Sequence, residues 1–315
     1  MVSSRIRNLV GYAVALAILA VGAVWVARNW ESVSAAFSLN PIYLLVLFPI
    51  AVANGLYVGL LNQVVGAHLG AWLNFRRWAS LGFASTLMNH FLPSLSGMAL
   101  RATYYKQVEG MPFARFASAM AVIHVINALM NALAAMVVLV WMRSSTGVMS
   151  WPAFIVMAAV ALCSILLLTL SPKPSGPPAE SGFRAIWGTV HHGWEELRSS
   201  PRLLAKVAGI VIGGIGLNAT RLFVVYLALG HPLSFAGCVL VGVVTQLGTV
   251  LSFTPGALGI RDGAIVLGSI AVGVGAETSV LASVLDRAVL LVVVLIIGPF
   301  AALKVSREIA RGEAG

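Results

Sequence analysis

Charge is what this sequence has least of. Asp, Glu, Lys and Arg make up 10% of its 315 residues, against about a quarter in soluble domains. An ordinary soluble fold is excluded on that ground. Acidic residues are scarcer still, 10 against 20 basic ones. Long polar segments are also missing. The longest, Ser171 to Arg202, is too short to bury a core of its own, which excludes a separate soluble catalytic domain. There are only two cysteines, Cys163 and Cys238, each inside an apolar run. They form no paired motif, so both read as buried small hydrophobes rather than as a disulfide or a metal site. The six histidines lack metal-ligand spacing, and adjacent His191 and His192 project from different sides of a helix. No cofactor is expected. No Gly-x₄-Gly-Lys-Ser/Thr loop occurs, so ATP hydrolysis by this chain is not expected.

What the chain has in abundance is apolar sequence: 59% hydrophobic residues and a mean hydropathy of +0.95. A membrane-crossing helix needs about 20 such residues. Runs of that kind cover roughly 9–28, 41–66, 79–100, 115–142, 151–171, 204–229, 234–276 and 280–303. The first, Leu9–Val26, follows Arg5 and Arg7. It is long for a signal-peptide core and lacks a small-x-small end, so it reads as a retained anchor helix. The expected fold is all-α: one integral membrane domain over 1–315, a polytopic bundle of about 6–8 transmembrane helices.

The placement of basic residues orients this bundle. One set of connections holds Arg5, Arg7, Arg76, Arg77, Arg101, Lys106, Arg115, Lys173, Arg184, Arg198, Arg202, Lys206, Lys304, Arg307 and Arg311, which is 15 of the 20 Lys and Arg. The opposite set holds Arg28 and Arg143, and Arg221, Arg261 and Arg287 lie in apolar surroundings. The bias puts both termini in the cytoplasm of a cell inner (plasma) membrane protein. It also explains the net charge of +10 without nucleic acid. Because basic connections flank 79–100 on both sides, that segment enters and leaves on one side. By the same count 234–276 is a hairpin entering from the other. Two short transmembrane helices fit the charges equally well.

Between the halves, Phe183, Ile186, Trp187, Val190, Trp194 and Leu197 recur at helical spacing. This predicts an amphipathic helix in the loop 172–203, lying on the membrane surface or capping the bundle.

The halves resemble each other. Asn54 and Gly66 match Asn218 and Gly230 at an offset of 164. Phe91-x-Pro93-x₃-Gly97 matches Phe253-x-Pro255-x₃-Gly259 at an offset of 162. Repeat one covers about 41–142 and repeat two about 204–303. Under the charge-derived topology the repeats are inverted, each carrying a Pro/Gly-broken hairpin that is re-entrant or made of short helices. Repeats of this kind characterise transport folds with a midplane site. Backbone groups freed at such a break cannot face lipid, so they are buried in protein or line a wet cavity.

Charges beside these breaks sharpen the reading, because a charge at the bilayer centre costs about 2.5–3.5 kcal/mol on insertion scales. Arg221, Arg261, Asp262, Asp286 and Arg287 interrupt apolar sequence, and Arg101 follows the first break. They form structural ion pairs, Arg261 with Asp286 or Asp262 with Arg287, or they line a polar cavity in which arginines bind an anionic group. Asn89, His90, Asn127, Asn131, Asn218 and Gln246 extend such a lining or make interhelical hydrogen bonds.

Two stretches carry a family resemblance. Leu92-Pro93-Ser94-Leu95-Ser96-Gly97-Met98-Ala99-Leu100-Arg101-Ala102-Thr103-Tyr104-Tyr105 resembles a Pro–x₃–Gly–Glu–x₂–Arg–x–Tyr-Tyr motif. Thr254-Pro255-Gly256-Ala257-Leu258-Gly259-Ile260-Arg261-Asp262-Gly263-Ala264 resembles Pro-Gly-Gly-Leu-Gly-Val-Arg-Glu-Gly-Ala. Both are similar to the lysylphosphatidylglycerol synthase transmembrane region, also called the flippase-like family, over about residues 10–305. The resemblance implies a lipid-flippase fold with two inverted repeats and membrane-embedded broken helices. Pro93, Gly97, Arg101, Pro255, Gly256, Gly259, Arg261 and Arg287 occupy matching positions. Three departures stand out: Met98 where the first motif has Glu, Asp262 for Glu, and His124-Val125 where repeat two has Asp286-Arg287. The first repeat is electrostatically depleted. The synthase domain of full-length relatives has no counterpart here, and the chain is similar in size to members linked to hopanoid synthesis.

The expected function is movement of a polar-headed or terpenoid (hopanoid-type) lipid between leaflets, with Arg101, Arg221, Arg261, Asp262, Asp286 and Arg287 as the substrate-binding set. Two alternatives remain. One is a membrane-bound lipid-modifying enzyme using Tyr104, Tyr105 or His90. The other is an accessory partner of lipid-biosynthesis enzymes, recruited through Ser181–Ser200.

Overall fold

The computed structural model describes residues 24, 27, 41–92, 96–146, 150–170, 183–250, 257 and 259–312. Ten α-helices occupy them, with no strand among the described residues: α1 Pro41–His68, α2 Phe75–Phe91, α3 Ser96–Glu109, α4 Phe113–Thr146, α5 Trp151–Thr169, α6 Phe183–Arg198, α7 Pro201–Ala228, α8 Phe235–Val250, α9 Ile260–Ala271 and α10 Ala276–Gly312. The expected first span, 9–28, lies outside the described residues apart from Val24 and Ala27. Five helices, α1, α4, α5, α7 and α10, are long and apolar enough to cross a membrane. Their outer faces expose large apolar side chains such as Leu45, Leu162 and Phe300, as a lipid-facing surface requires. Cys163 sits on such a face of α5, so it is exposed and not buried as expected, whereas Cys238 is buried. In lipid, an outward apolar residue loses nothing by exposure.

The helices repeat in length and order. α1 to α4 contain 28, 17, 14 and 34 residues, and α7 to α10 contain 28, 16, 12 and 37. At 1.5 Å per residue the four short helices reach only about 18–26 Å, less than the roughly 30 Å hydrocarbon layer. Each pair therefore forms a broken hairpin rather than two full spans. Packing exchanges partners between the repeats. α1 lies against α7, α2 lies along α10, and α8 lies along α4. Each hairpin's first helix thus rests on the last helix of the other repeat.

One end of the bundle collects the bases of several elements. Arg77 at the start of α2 is 3.7 Å from Glu109 at the end of α3 and 3.6 Å from Glu308 near the end of α10. Lys304 donates to the Arg76 carbonyl at 2.7 Å. Arg115 at the start of α4 pairs with Glu196 of α6 at 2.8 Å. This basic end also holds the C-terminus of α1, since Tyr105 of α3 donates to the Asn62 carbonyl at 3.1 Å, and the N-terminus of α7, which follows α6 directly. α1 and α7 consequently run in opposite directions, and the repeats are inverted.

The repeat register differs from the sequence match. Gly70 and Gly230, both at positive φ, end α1 and α7; Asn74 and Ser234 accept the first-turn N–H of the helices that follow. Gly230 therefore pairs with Gly70 and not with Gly66, one helical turn earlier. Gly66 lies inside α1, where a Cβ would sit 2.7 Å from the Tyr105 hydroxyl. One turn is a full helical period, so a four-residue slip keeps the same face and is invisible to pattern matching.

α6 caps the bundle. Its Leu197 is fully buried, and Ser118 of α4 donates to the Val190 carbonyl at 2.7 Å. Of the face that periodicity marks as apolar, the described side chains Val190, Trp194 and Leu197 are partly or fully buried against the bundle.

Candidate functional site

The first break lies between Phe91 and Ser96; Pro93 itself falls outside the described residues, as do Pro255 and Gly256. Side chains close the hairpin. Asn89 Oδ1 accepts the Gly97 N–H at 2.8 Å, and Ser96 Oγ donates to the Met88 carbonyl at 2.9 Å. A Cβ at Gly97 would meet the Ser85 carbonyl oxygen at 2.4 Å, so the two helices approach this closely only through glycine.

The second break runs from the end of α8 to Gly259. Ala257 has φ 53° and Gly259 φ 80°, both left-handed, a region that non-glycine residues avoid. The turn aims the N-terminus of α9 at α10. There Asp262 Oδ2 accepts the Gly259 N–H at 3.1 Å and caps the helix. The same carboxylate takes Arg287 in a fork, with Nε at 2.9 Å and Nη2 at 2.6 Å.

The neighbouring residue on α10 serves a different partner, because successive helical side chains point about 100° apart. Asp286 accepts Arg221 Nε at 2.6 Å on one oxygen and Arg261 on the other. Arg221 also donates to Asn218 Oδ1 at 2.6 Å. Asp286 has 0% exposure, Arg221 4% and Arg287 7%. Both expected ion pairs thus form, and Arg221 joins one of them. Buried charges at this depth survive only as a paired and hydrogen-bonded set.

Beside this set, between the repeats, lies a cavity of about 220 Å³. Arg221 and Arg261 reach its wall together with His90, Asn131, Asn218 and Gln246. Asn54 and Tyr57 of α1 also line it, beside apolar side chains such as Val58, Phe83, Ile215 and Val293; the sequence marks Asn54 only as a repeat position and singles out nothing at Tyr57. His90 comes from the end of α2 and lies within electrostatic reach of Arg261, Arg287 and Arg221. The first hairpin therefore ends at the charges supplied by the second. Asn89 is not in the wall, because it holds Gly97. Asn127 stands behind the wall, donating to the Tyr57 hydroxyl at 3.4 Å and accepting from Asn131 at 2.7 Å.

Arg101 does not join the set. It sits on α3 one turn from Tyr105, away from the cavity wall. Its buried Nε has no hydrogen-bond partner among the described residues. His124 is exposed and bonds only to the Met120 carbonyl of its own helix, at 2.6 Å, so α4 presents no counterpart of the Asp286–Arg287 step there. The residues considered for an enzyme are scattered. Tyr104 bonds Glu308, Tyr105 bonds Asn62, and His90 lines the cavity.

Sequence reasoning missed the closure at the basic end. Tyr104, Arg77, Glu109 and Glu308 meet there, joining the first hairpin to α10. Burial holds the Glu109 carboxyl above the usual carboxylate range against the opposing pull of Arg77. α3 packs on α10 at this end, while α9, its counterpart, has no comparable packing on α4.

A family model described as the lysylphosphatidylglycerol synthase TM region matches residues 9–298. No curated protein matches the chain.

Proposed function

We propose, from the premise that the chain belongs to the lysylphosphatidylglycerol synthase TM region family, that it moves a polar-headed membrane lipid between leaflets through the cavity between its repeats. The observation that carries this reading is the wall itself. Two arginines, a histidine and several amides line a half-open space between the helices, and the rest of its wall is largely apolar. A lipid crossing a bilayer needs such a place for its headgroup, while its tails stay in the surrounding hydrocarbon. Inverted broken hairpins that converge on one midplane site support the same reading. A terpenoid lipid of hopanoid type fits it through its polar head.

The basic end is the cytoplasmic end by the positive-inside rule, in a plasma-membrane protein. The closure by Arg77, Tyr104, Glu109 and Glu308 is then a cytoplasmic gate, shut in this conformation. The looser packing of α9 and α4 leaves the opposite end the freer one.

The test is leaflet accessibility of fluorescent polar-headed lipids in reconstituted vesicles. Protein-containing vesicles should exchange lipid between leaflets faster than empty ones. Arg261→Ala together with Arg287→Ala should remove the excess, and exchange unaffected by that pair of changes would remove these arginines from the mechanism. Recruitment of lipid-biosynthesis enzymes through α6 has less support, because Leu197 and Trp194 of its apolar face pack on the bundle.

A further inference from the structure

Two nearby residues of α3 point to opposite neighbours. Ala102 and Tyr104 are two positions apart, about 200° around the helix. Tyr104 faces α10, where its hydroxyl donates to Glu308. The seam on that side is tight: a Cβ at Gly312 would lie 2.6 Å from the Gln107 carbonyl oxygen. Ala102 instead faces α4, across an open-sided groove of about 290 Å³. Met98 lines the groove with it, Phe116, Ala117 and Met120 line it from α4, and the lining is almost wholly apolar.

Repeat two has no such gap. There α9 packs along α10, the helix that follows it, more closely than α3 packs along α4. The fork between Asp262 and Arg287 ties α9 in place. Among the described residues no ion pair joins α3 to α4. Met98 lies in the groove and His124 bonds within its own helix. What holds α3 away from α4 is its polar seam on α10, and partly exposed ion pairs such as Arg77 with Glu109 are weak.

The path from one neighbour to the other is short. The start of α3 is pinned to α2 where Asn89 accepts the Gly97 N–H, so the helix can swing about that end. Tyr105 already touches Phe116, with ring centroids 5.7 Å apart. Ala102 and Ala117 are small enough to let the two backbones approach. Inverted-repeat transporters alternate access by rocking one repeat against the other, and repeat two displays the arrangement that repeat one lacks.

From this we infer that α3 has two seats, the one on α10 and a second in the groove on α4, and that exchanging the first for the second opens the basic end. The inference rests on the proposed gate, and it names the element that moves and the place it moves to.

Two measurements test it, each in a chain with Cys163 and Cys238 replaced. The first is oxidative cross-linking of Ala102→Cys with Ala117→Cys, which line the groove from its two sides. A disulfide needs Cα atoms within about 7 Å, so closing the groove favours it. Cross-linking should run about two- to fivefold faster once Tyr104→Phe with Glu308→Gln releases α3 from α10. The second uses Ala102→Phe, which fills the groove. Added to the Tyr104→Phe, Glu308→Gln chain in vesicles, it should return labelling of Thr86→Cys by an impermeant maleimide from the basic side to the wild-type level, with no fall in melting temperature. Cross-linking no faster in the released chain overturns the second seat. Labelling that stays raised in the filled chain overturns it too, and leaves the groove as a place for a lipid tail. Where Ala102→Phe does not fold, the cross-link decides alone. Neither reading uses lipid exchange. Exchange absent while both respond would remove the transporter reading and keep the two seats, and exchange present while neither responds would do the reverse.

Discussion

Asp286 on α10 accepts Arg221 Nε of α7 at 2.6 Å, with no exposure of the carboxylate. This bond joins the first helix of the second repeat to its last helix, and Arg261 ties the start of α9 to the same residue.

Removing the acid alone leaves two buried arginines without a counter-charge. Asp286→Leu is expected to lower stability by about 3–5 kcal/mol, the usual cost of breaking one partner of a buried pair. Replacing Arg221 by Met in the same chain should recover part of that loss, because one of the orphaned charges goes with it. Thermal unfolding in detergent reads both variants, and a double variant no more stable than Asp286→Leu would contradict the pairing.

At the first break, steric room predicts a ranking. Gly97→Ala puts a methyl 2.4 Å from the Ser85 carbonyl oxygen and should destabilise by about 1–3 kcal/mol, as overpacking does. Gly263→Ala in α9 meets nothing within 4 Å. It should stabilise by about 0.5–1 kcal/mol, the usual gain from replacing a helix-interior glycine. A melting series that reverses this order would show that the hairpin does not close as described.

The gate at the basic end should control access to the cavity. A single cysteine at Thr86, in a chain with Cys163 and Cys238 replaced, reports that access to an impermeant maleimide added from the basic side. Tyr104→Phe with Glu308→Gln removes two partners of the cluster. Labelling should rise about two- to fivefold, since exposed ion pairs contribute roughly 0.2–1 kcal/mol. Unchanged labelling would mean that these contacts do not hold the end shut.

Glu109 gives the cluster a pH dependence. Its folded carboxyl is raised by burial, so the folded state binds its proton more tightly than the unfolded chain does. The stabilising contribution is present on the acid side and is lost as pH rises through the folded value. Relative to Glu109→Gln, the wild-type protein should therefore lose stability as pH rises from mildly acidic toward neutral. Parallel melting-temperature profiles for the two proteins would contradict this.

The broken hairpins were legible because Pro and Gly recur in the same order in both halves, and the second-repeat charges because embedded Arg or Asp is rare and costly in an apolar chain. Asp262 with Arg287 and Arg261 with Asp286 needed only the α9–α10 hairpin to bring them together. Arg101 was harder to place. Its motif position matched, but which face of α3 meets the cavity depends on Tyr105 packing into the space left by Gly66. Asn54 and Tyr57 reach the wall because α1 and α7 cross, which no local pattern encodes. The cluster of Tyr104 and Glu308 spans 204 residues of sequence and uses residue types that are ordinary at a membrane interface. The one-turn error in the repeat register has the same origin: a helical pattern is unchanged by a shift of one period.

The central claim is that a lipid headgroup occupies the space between the repeats. A lipid carrying a photoreactive group on its headgroup, incorporated with the protein in vesicles, irradiated and mapped by peptide mass spectrometry, tests it most directly. The account predicts adducts on cavity-wall residues, among them Asn54, His90 and Gln246, reduced by excess unlabelled lipid. Adducts confined to lipid-facing positions such as those of α5, with none on the cavity wall, would contradict it.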